Sequence, residues 1–323
     1  MTPLSRRHFT LALAGSAWTA ASQAETRWTD GPLHILVGYP PGGSTDRVAR
    51  ILADRLSARL GTPVIVDNKP GAGGRLAAQV ARVPVPGQTT LMLANPAVMV
   101  VAPLVFKDNG YDPERDFLPL SQVNSYDFGL AVGAAVPVRE LSHLLAWLRA
   151  NPGNANFGVP ATGSLPHFFG LMVAEKAKVA AQIVGYRGSA PLVNDLLGGQ
   201  VPVAIDTLDT FLPQHQAGKL RILAVSGARR SAFAPQIPTF KEAGLDLAAS
   251  GFNAFFAPTA MPRDKAEALA RVIREIMQEP DTAHRFSDSL LDAVVSTPAQ
   301  TQAMLTAYRA QWAPAVRSSG LEP

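Results

Sequence analysis

The sequence has no cysteine. That excludes a disulfide framework, a thiol nucleophile, thiolate metal sites and a lipid-anchored N-terminal cysteine, and it suits an oxidising compartment. Charge is sparse too. Asp, Glu, Lys and Arg make up 17% of the chain, the formal charge is +4, and no dense basic run occurs. Nucleic-acid binding therefore has no electrostatic footprint. Past the N-terminus no run is a candidate to span a membrane. No Gly-x-Ser-x-Gly elbow and no His/Asp/Glu cluster with metal-ligand spacing is present, so no metal or cofactor is expected.

Turn formers are abundant. The 323 residues hold 26 Gly and 27 Pro and are 47% hydrophobic. This describes a globular protein rich in turns, and the length favours two domains over one core. The first 24 residues form an address. Ser5-Arg6-Arg7-His8-Phe9 precedes the uncharged run from Thr10 to Ala21, and Ser22-Gln23-Ala24 offers small residues to a signal peptidase. The paired arginines resemble a twin-arginine export signal; the other reading is an ordinary secretory signal. Either implies export, to the periplasm, with cleavage near Ala24. Loss of Arg6 and Arg7, the charged residues of this segment, takes the net charge from +4 to +2.

The mature chain is organised around Tyr39-Pro40-Pro41-Gly42-Gly43-Ser44-Thr45-Asp46. Before it His34–Val37 reads as a buried strand; after it Val48, Ile51, Leu52, Leu56 and Leu60 recur at helical spacing. The prolines end the strand, the glycines supply unusual backbone angles, and Ser44 or Thr45 is expected to cap the helix. Such a turn aims unpaired N–H groups and a positive helix end at one point, a ready anion site. Similar turns recur. Val64–Asn68 is followed by Lys69-Pro70-Gly71-Ala72-Gly73-Gly74-Arg75, whose spacing fails a dinucleotide fingerprint because position 76 is Leu. Thr90–Ala94 ends at Asn95-Pro96. In the second half Asn156–Val159 runs into Pro160-Ala161-Thr162-Gly163-Ser164, Gln182–Gly185 into Tyr186-Arg187-Gly188-Ser189, and Val201–Ile205 into Asp206-Thr207. Strands alternating with helices imply an α/β fold of mostly parallel sheets flanked by helices, with ligands at the carboxyl ends of the strands. A domain crossing is expected near residues 124–128. The final helices, Arg263–Gln278, Ala283–Leu291 and Pro298–Val316, are expected to return to the first domain. Two crossings make a hinge, and a hinge makes a cleft.

These stretches together resemble the substrate-binding proteins of tripartite tricarboxylate transporters, the Bug/TctC family. The resemblance rests on Pro40-Pro-Gly-Gly-Ser-Thr-Asp46, the run Leu60 to Gly74, Tyr186-Arg187-Gly-Ser-Ala-Pro191, Asp195-Leu-Leu-Gly-Gly-Gln-Val201 and Ala217-Gly-Lys-Leu-Arg-Ile-Leu-Ala-Val225. It implies a two-lobed type II periplasmic-binding-protein fold that closes on a small carboxylate and serves a membrane permease. The expected lobes are 25–126 plus 251–323, and 127–250, in a monomer. It also implies that backbone amides and water hold the carboxylate, from Pro41 to Asp46 (Pro41, Gly42, Gly43, Ser44, Thr45, Asp46) and from Thr162, Gly163 and Ser164. Val85-Pro-Gly-Gln-Thr89 and Asn95-Pro96 depart from the family pattern and leave the ligand open.

The remaining candidates have two readings each. Asp46 either meets a ligand amine or water or only braces its helix. His167 either meets the ligand or caps. Arg187 is the candidate cleft cation or a solvated turn residue, with Gly188 beside it. Asp206 either recognises an amine or hydroxyl or caps the next helix; Tyr39 and Phe252 wall the cleft or pack. Ala72, Gly73 and Asn95 complete the set. The rival readings are a sensor feeding a two-component system, and a hydrolase or lyase built on Ser164, His167 and Asp206. Turns rich in Gly and Ser supply donors, not bases, and favour binding over turnover.

Overall fold

The computed structural model describes residues 31–318. Ten strands form its frame: β1 (Leu33–Val37), β2 (Val64–Asn68), β3 (Thr89–Ala94), β4 (Phe117–Gly133), β5 (Asn156–Val159), β6 (Gln182–Gly185), β7 (Val203–Thr207), β8 (Leu220–Val225), β9 (Ser250–Pro258) and β10 (Asp292–Ala293). The export segment lies outside the described residues.

In one lobe the order is β2-β1-β3-β9-β4, with β10 also on β4; in the other β4 pairs β7 and β8, and the order continues β7-β5-β6. The ladders of β1 with β2 and β3, and of β5 with β6 and β7, are parallel. The ladders made by β4 with β7, β8, β9 and β10 are antiparallel, as is β3 with β9. The sheets are thus mixed, where a mostly parallel arrangement was expected. Parallel pairs need a crossover helix, whereas strands carrying the chain between lobes pair antiparallel.

The 17-residue strand β4 is the other departure. Sequence pattern predicts a strand only over Phe128–Gly133, because Pro119 and the polar Ser121-Gln122 and Asn124-Ser125 interrupt the run before it. Those residues pair with β9 across two register shifts, between Pro119 and Ser121 and between Gln122 and Asn124. Bulges accommodate residues that a regular ladder rejects. Partners change within β4: up to Asp127 it pairs with β9, and from Phe128 with β7 and β8. Ser226, fully buried, staples this point. Its Oγ accepts from Phe128 N–H (2.8 Å) and donates to Ala249 C=O (2.6 Å). Its backbone exchanges further bonds with Phe128 and Ala249.

Apolar side chains fill the space between sheet and helices in each lobe. Leu33, Ile35, Val37, Leu52, Leu56 and Phe255 belong to one core, Phe128, Phe157, Phe169 and Phe240 to another. The last helix, Pro298–Ser318, serves both lobes. Met304, Leu305 and Tyr308 pack beside Phe252 and Phe256, whereas Trp312 and Val316 sit in the core of Phe128 and Phe169. The last helix thus bridges the two cores.

Candidate functional site

At Pro40-Pro41-Gly42-Gly43 the chain turns from β1 into the helix Ser44–Leu60. Gly42 takes a left-handed φ of +88°, which a side chain would strain. Its peptide is held at both ends: Asp46 Oδ2 accepts from Gly42 N–H (2.8 Å), and Arg47 Nη1 donates to Gly42 C=O (3.0 Å). Asp46 also receives Arg50 and Asn68. Burial alone would raise its carboxyl; Arg50, the Gly42 N–H and Asn68 outweigh that and hold it below the usual carboxylate range. With these bonds made, Asp46 braces the turn.

Gly43, not Ser44 or Thr45, is the N-cap, and no side chain caps the helix. The same holds at three more helix starts: Leu165–Ala177 after Ser164, Ser189–Leu197 after Gly188, and Leu208–Gln216 after Thr207. All four starts line one cavity. Gly43, Ser44 and Thr45 come from the first, Ser164 and Pro166 from the second, Gly188 and Ser189 from the third, Asp206 and Thr207 from the fourth. Tyr39, Asn95 and Tyr126 wall it. Four uncapped helix N-termini converging there make its field favourable to an anion.

Most lining side chains are already committed. Tyr39 Oη donates to Gly73 C=O (3.1 Å), and Asn95 Nδ2 donates to Tyr39 Oη (3.0 Å). Burial drives the Tyr39 phenol up to about 12, so it stays protonated. Thr45 Oγ1 donates to Asn253 Oδ1 (2.9 Å), and Asn253 Nδ2 in turn donates to Asn124 Oδ1 (2.9 Å). Ser164 Oγ donates to Ala161 C=O (2.7 Å). Two buried side-chain atoms of the lining have no protein partner: Ser44 Oγ from one lobe and Asp206 Oδ2 from the other.

A second cavity opens outside the first. Ala72, Gly73, Arg75, Thr162, Gly163 and Arg187 line it, with Tyr39 and Gly188 shared between the two. The lobes touch here. A side chain on Gly73 would meet the Gly163 carbonyl at 3.1 Å, and one on Gly188 would meet Pro40 at 3.3 Å. Arg47 is paired across the cleft with Asp209, whose carboxylate is buried. Arg187 is exposed at this outer rim, far less enclosed than the inner lining.

Of the candidate residues, the structure brings Tyr39, Gly43, Ser44, Thr45, Asn95, Ser164, Gly188 and Asp206 to the inner cavity, and Ala72, Gly73, Thr162, Gly163 and Arg187 to the outer one. Pro41, Gly42, Asp46 and His167 line neither. His167 Nδ1 accepts from Gly163 N–H (2.8 Å), and burial lowers its pKa, so a neutral imidazole shapes the turn. With Ser164 turned to Ala161 and His167 to Gly163, these residues make no nucleophile–base pair. Phe252 packs against Tyr308, away from the cleft. Sequence reasoning missed Tyr126, Ser189 and Thr207. Ser189 repeats the Gly-Ser signature of positions 43–44 and 163–164 and could have been found; Tyr126 has no local signal. Its sign is distant: Gly251, paired with it, leaves room for its ring where a Cβ would come within 2.2 Å.

A model of the tripartite tricarboxylate transporter family receptors matches residues 48–321. The chain belongs to that family. The receptor is 35% identical over 303 residues to a UPF0065 protein of Bordetella bronchiseptica, covering 94% of this chain and 90% of that one. It is 32% identical to Protein BugT of Bordetella pertussis, with 94% of each covered. Among solved structures it resembles R. palustris Rpa4515 with adipate (TM-score 0.86, 28% identity, 90% of this chain and 98% of that one). It also resembles the periplasmic binding protein BugD (TM-score 0.83, 26% identity, 90% and 98%). The receptor's two-lobed α/β fold is that of these binding proteins, and family members are periplasmic binding proteins rather than enzymes.

Proposed function

We propose that this receptor captures a small carboxylate in the inner cavity and delivers it, as a periplasmic monomer, to a permease of the tripartite type. The observation that carries this is the convergence of four uncapped helix N-termini on one cavity with no Lys, Arg or His in its lining. Backbone N–H groups recognise a carboxylate without a counter-charge, and weak enough to release it. The adipate held in the solved relative supports a carboxylate as the ligand class. On this reading lobe 1 comprises residues 25–126 and 251–323 and lobe 2 residues 127–250, with Ser44 and Asp206 facing each other across the ligand. Twin-arginine export is part of the proposal and rests on the sequence motif alone.

The test is a thermal-shift screen against mono-, di- and tricarboxylates. A ligand at 100 times its dissociation constant adds about 2.7 kcal/mol, a shift of several degrees. Recovery of the compound unchanged establishes a receptor; a turned-over product establishes an enzyme and overturns the reading.

A further inference from the structure

The amides at the four helix starts are donors, and so is the Ser44 hydroxyl. One wall of the same cavity is an acceptor. Asp206, at the end of β7, is 2% exposed; its Oδ1 accepts from the Thr207 N–H (2.7 Å), while Oδ2 has no protein partner. A buried carboxylate oxygen without a donor is costly, and in a cavity that draws anions it would repel the carboxylate it is meant to admit. No cation lines the cavity to neutralise it, and the Ser189 hydroxyl of the same lining only eases the charge. The groups that act on it are the Ser189 hydroxyl, Asp209 in the first turn of the helix that follows β7 and Arg47 from the first helix; the neutral Tyr126 from β4 and the neutral Tyr39 after β1 share its cavity. Arg47 is taken by Asp209 and Gly42 C=O.

We propose that Asp206 sets the ligand class: its free Oδ2 accepts a hydrogen bond from a hydroxyl or amino group on the captured carboxylate, so the receptor selects hydroxy- or amino-carboxylates over their unsubstituted counterparts. This rests on the carboxylate-receptor reading above. It assigns the donors of the cavity to the ligand's carboxylate and the unpartnered carboxylate oxygen to the ligand's donor. Both buried polar atoms left over by the protein then have a partner.

Titration of the wall gives an independent handle. Burial drives the Asp206 carboxyl up to about 7; the Ser189 hydroxyl, the Thr207 N–H and Arg47 oppose the rise, and Asp209 adds to it. A donor-bearing ligand needs the ionised carboxylate. The competent fraction then grows from about one tenth at pH 6 to about nine tenths at pH 8, and affinity rises about tenfold. An unsubstituted diacid at the same wall needs the proton and weakens over that range.

The experiment is calorimetric titration of the purified receptor at pH 6 and pH 8. The probes are succinate, glutarate, adipate and propionate, each with its 2-hydroxy and 2-amino derivative. Expected is a derivative at least about tenfold tighter than its parent, strengthening with pH, and a preference that collapses in Asp206→Asn. If that variant does not fold, Asp206→Ser and the pH series on the unaltered protein carry the same test. A parent acid that binds as tightly as its derivatives at pH 8, or derivatives whose affinity does not rise from pH 6 to pH 8, overturns the inference and leaves the receptor reading standing. Silence across the whole panel overturns both.

Discussion

Gly43 and Gly73 show how glycine serves this receptor in two ways. Gly43 has an ordinary extended φ of −76°, and a Cβ there would lie 3.8 Å from its nearest neighbours, Pro40 C=O and Ser189 Oγ. Its value is space, since the branches of a larger residue would fill the inner cavity. Gly43→Val is expected to fold normally and lose about 100-fold or more in affinity, ~2.7 kcal/mol, read by calorimetry beside an unchanged far-ultraviolet spectrum. Gly73 has φ +66° and faces the Gly163 carbonyl of the other lobe. Gly73→Ala combines strain with an obstacle to closure. It should weaken binding through a faster off-rate, and stopped-flow release of ligand checks this; an unchanged rate would remove the contact from the closing surface.

Among the elements, the helix Ser44–Leu60 carries the most varied load. Its first turn pins Gly42, its N-terminus faces the cavity, and Arg47 reaches Asp209 at the start of the Leu208–Gln216 helix. Arg47→Ala leaves a buried carboxylate unpaired. The expected loss is about 1–3 kcal/mol in binding or stability, with partial recovery in Arg47→Ala/Asp209→Ala; a double-mutant cycle by chemical denaturation with and without ligand measures it. The staple at Ser226 is a second element-scale device. Ser226→Ala strands Phe128 N–H and Ala249 C=O where the chain passes between lobes, and should lower stability by about 1–3 kcal/mol. What was legible in the sequence follows the same scale. Gly-Ser turns after apolar strands announce themselves within a few residues, so the helix starts lining both cavities were visible. Tyr126, Ser226 and the Asn253–Asn124 pair depend on partners roughly one hundred or more residues away, and no local pattern encodes them. Strand β4 escaped for a third reason: bulges let it carry residues that ordinarily argue against a strand.

At the scale of the molecule, buried carboxyls tie stability to pH. Asp206 is raised to about 7 and Asp127 to about 6, both chiefly by burial, with Asp292 adding to the latter. A carboxyl raised in the folded state binds its proton more tightly there than in the unfolded chain. The stability it contributes is therefore complete below the unfolded value of 3.8 and is lost as pH rises through 6 to 7. Asp46 is lowered and acts oppositely, its contribution vanishing as pH falls below the usual carboxylate range. The ligand-free receptor should therefore melt at a higher temperature at pH 5 than at pH 8. Asp206→Asn should flatten the slope near pH 7, a result differential scanning calorimetry would contradict if the slope persisted.

Because β4 is a member of both sheets, the receptor is not two modules joined by a tether. Cutting the chain at Asp127 would strip each half of a strand it shares and bare a ladder edge, the surface on which sheets aggregate. A reporter protein spliced there would break the frame it was meant to read. Paired dyes at Arg75 and Arg187, on facing walls of the outer cavity, would instead convert closure into a fluorescence signal while leaving that shared strand whole.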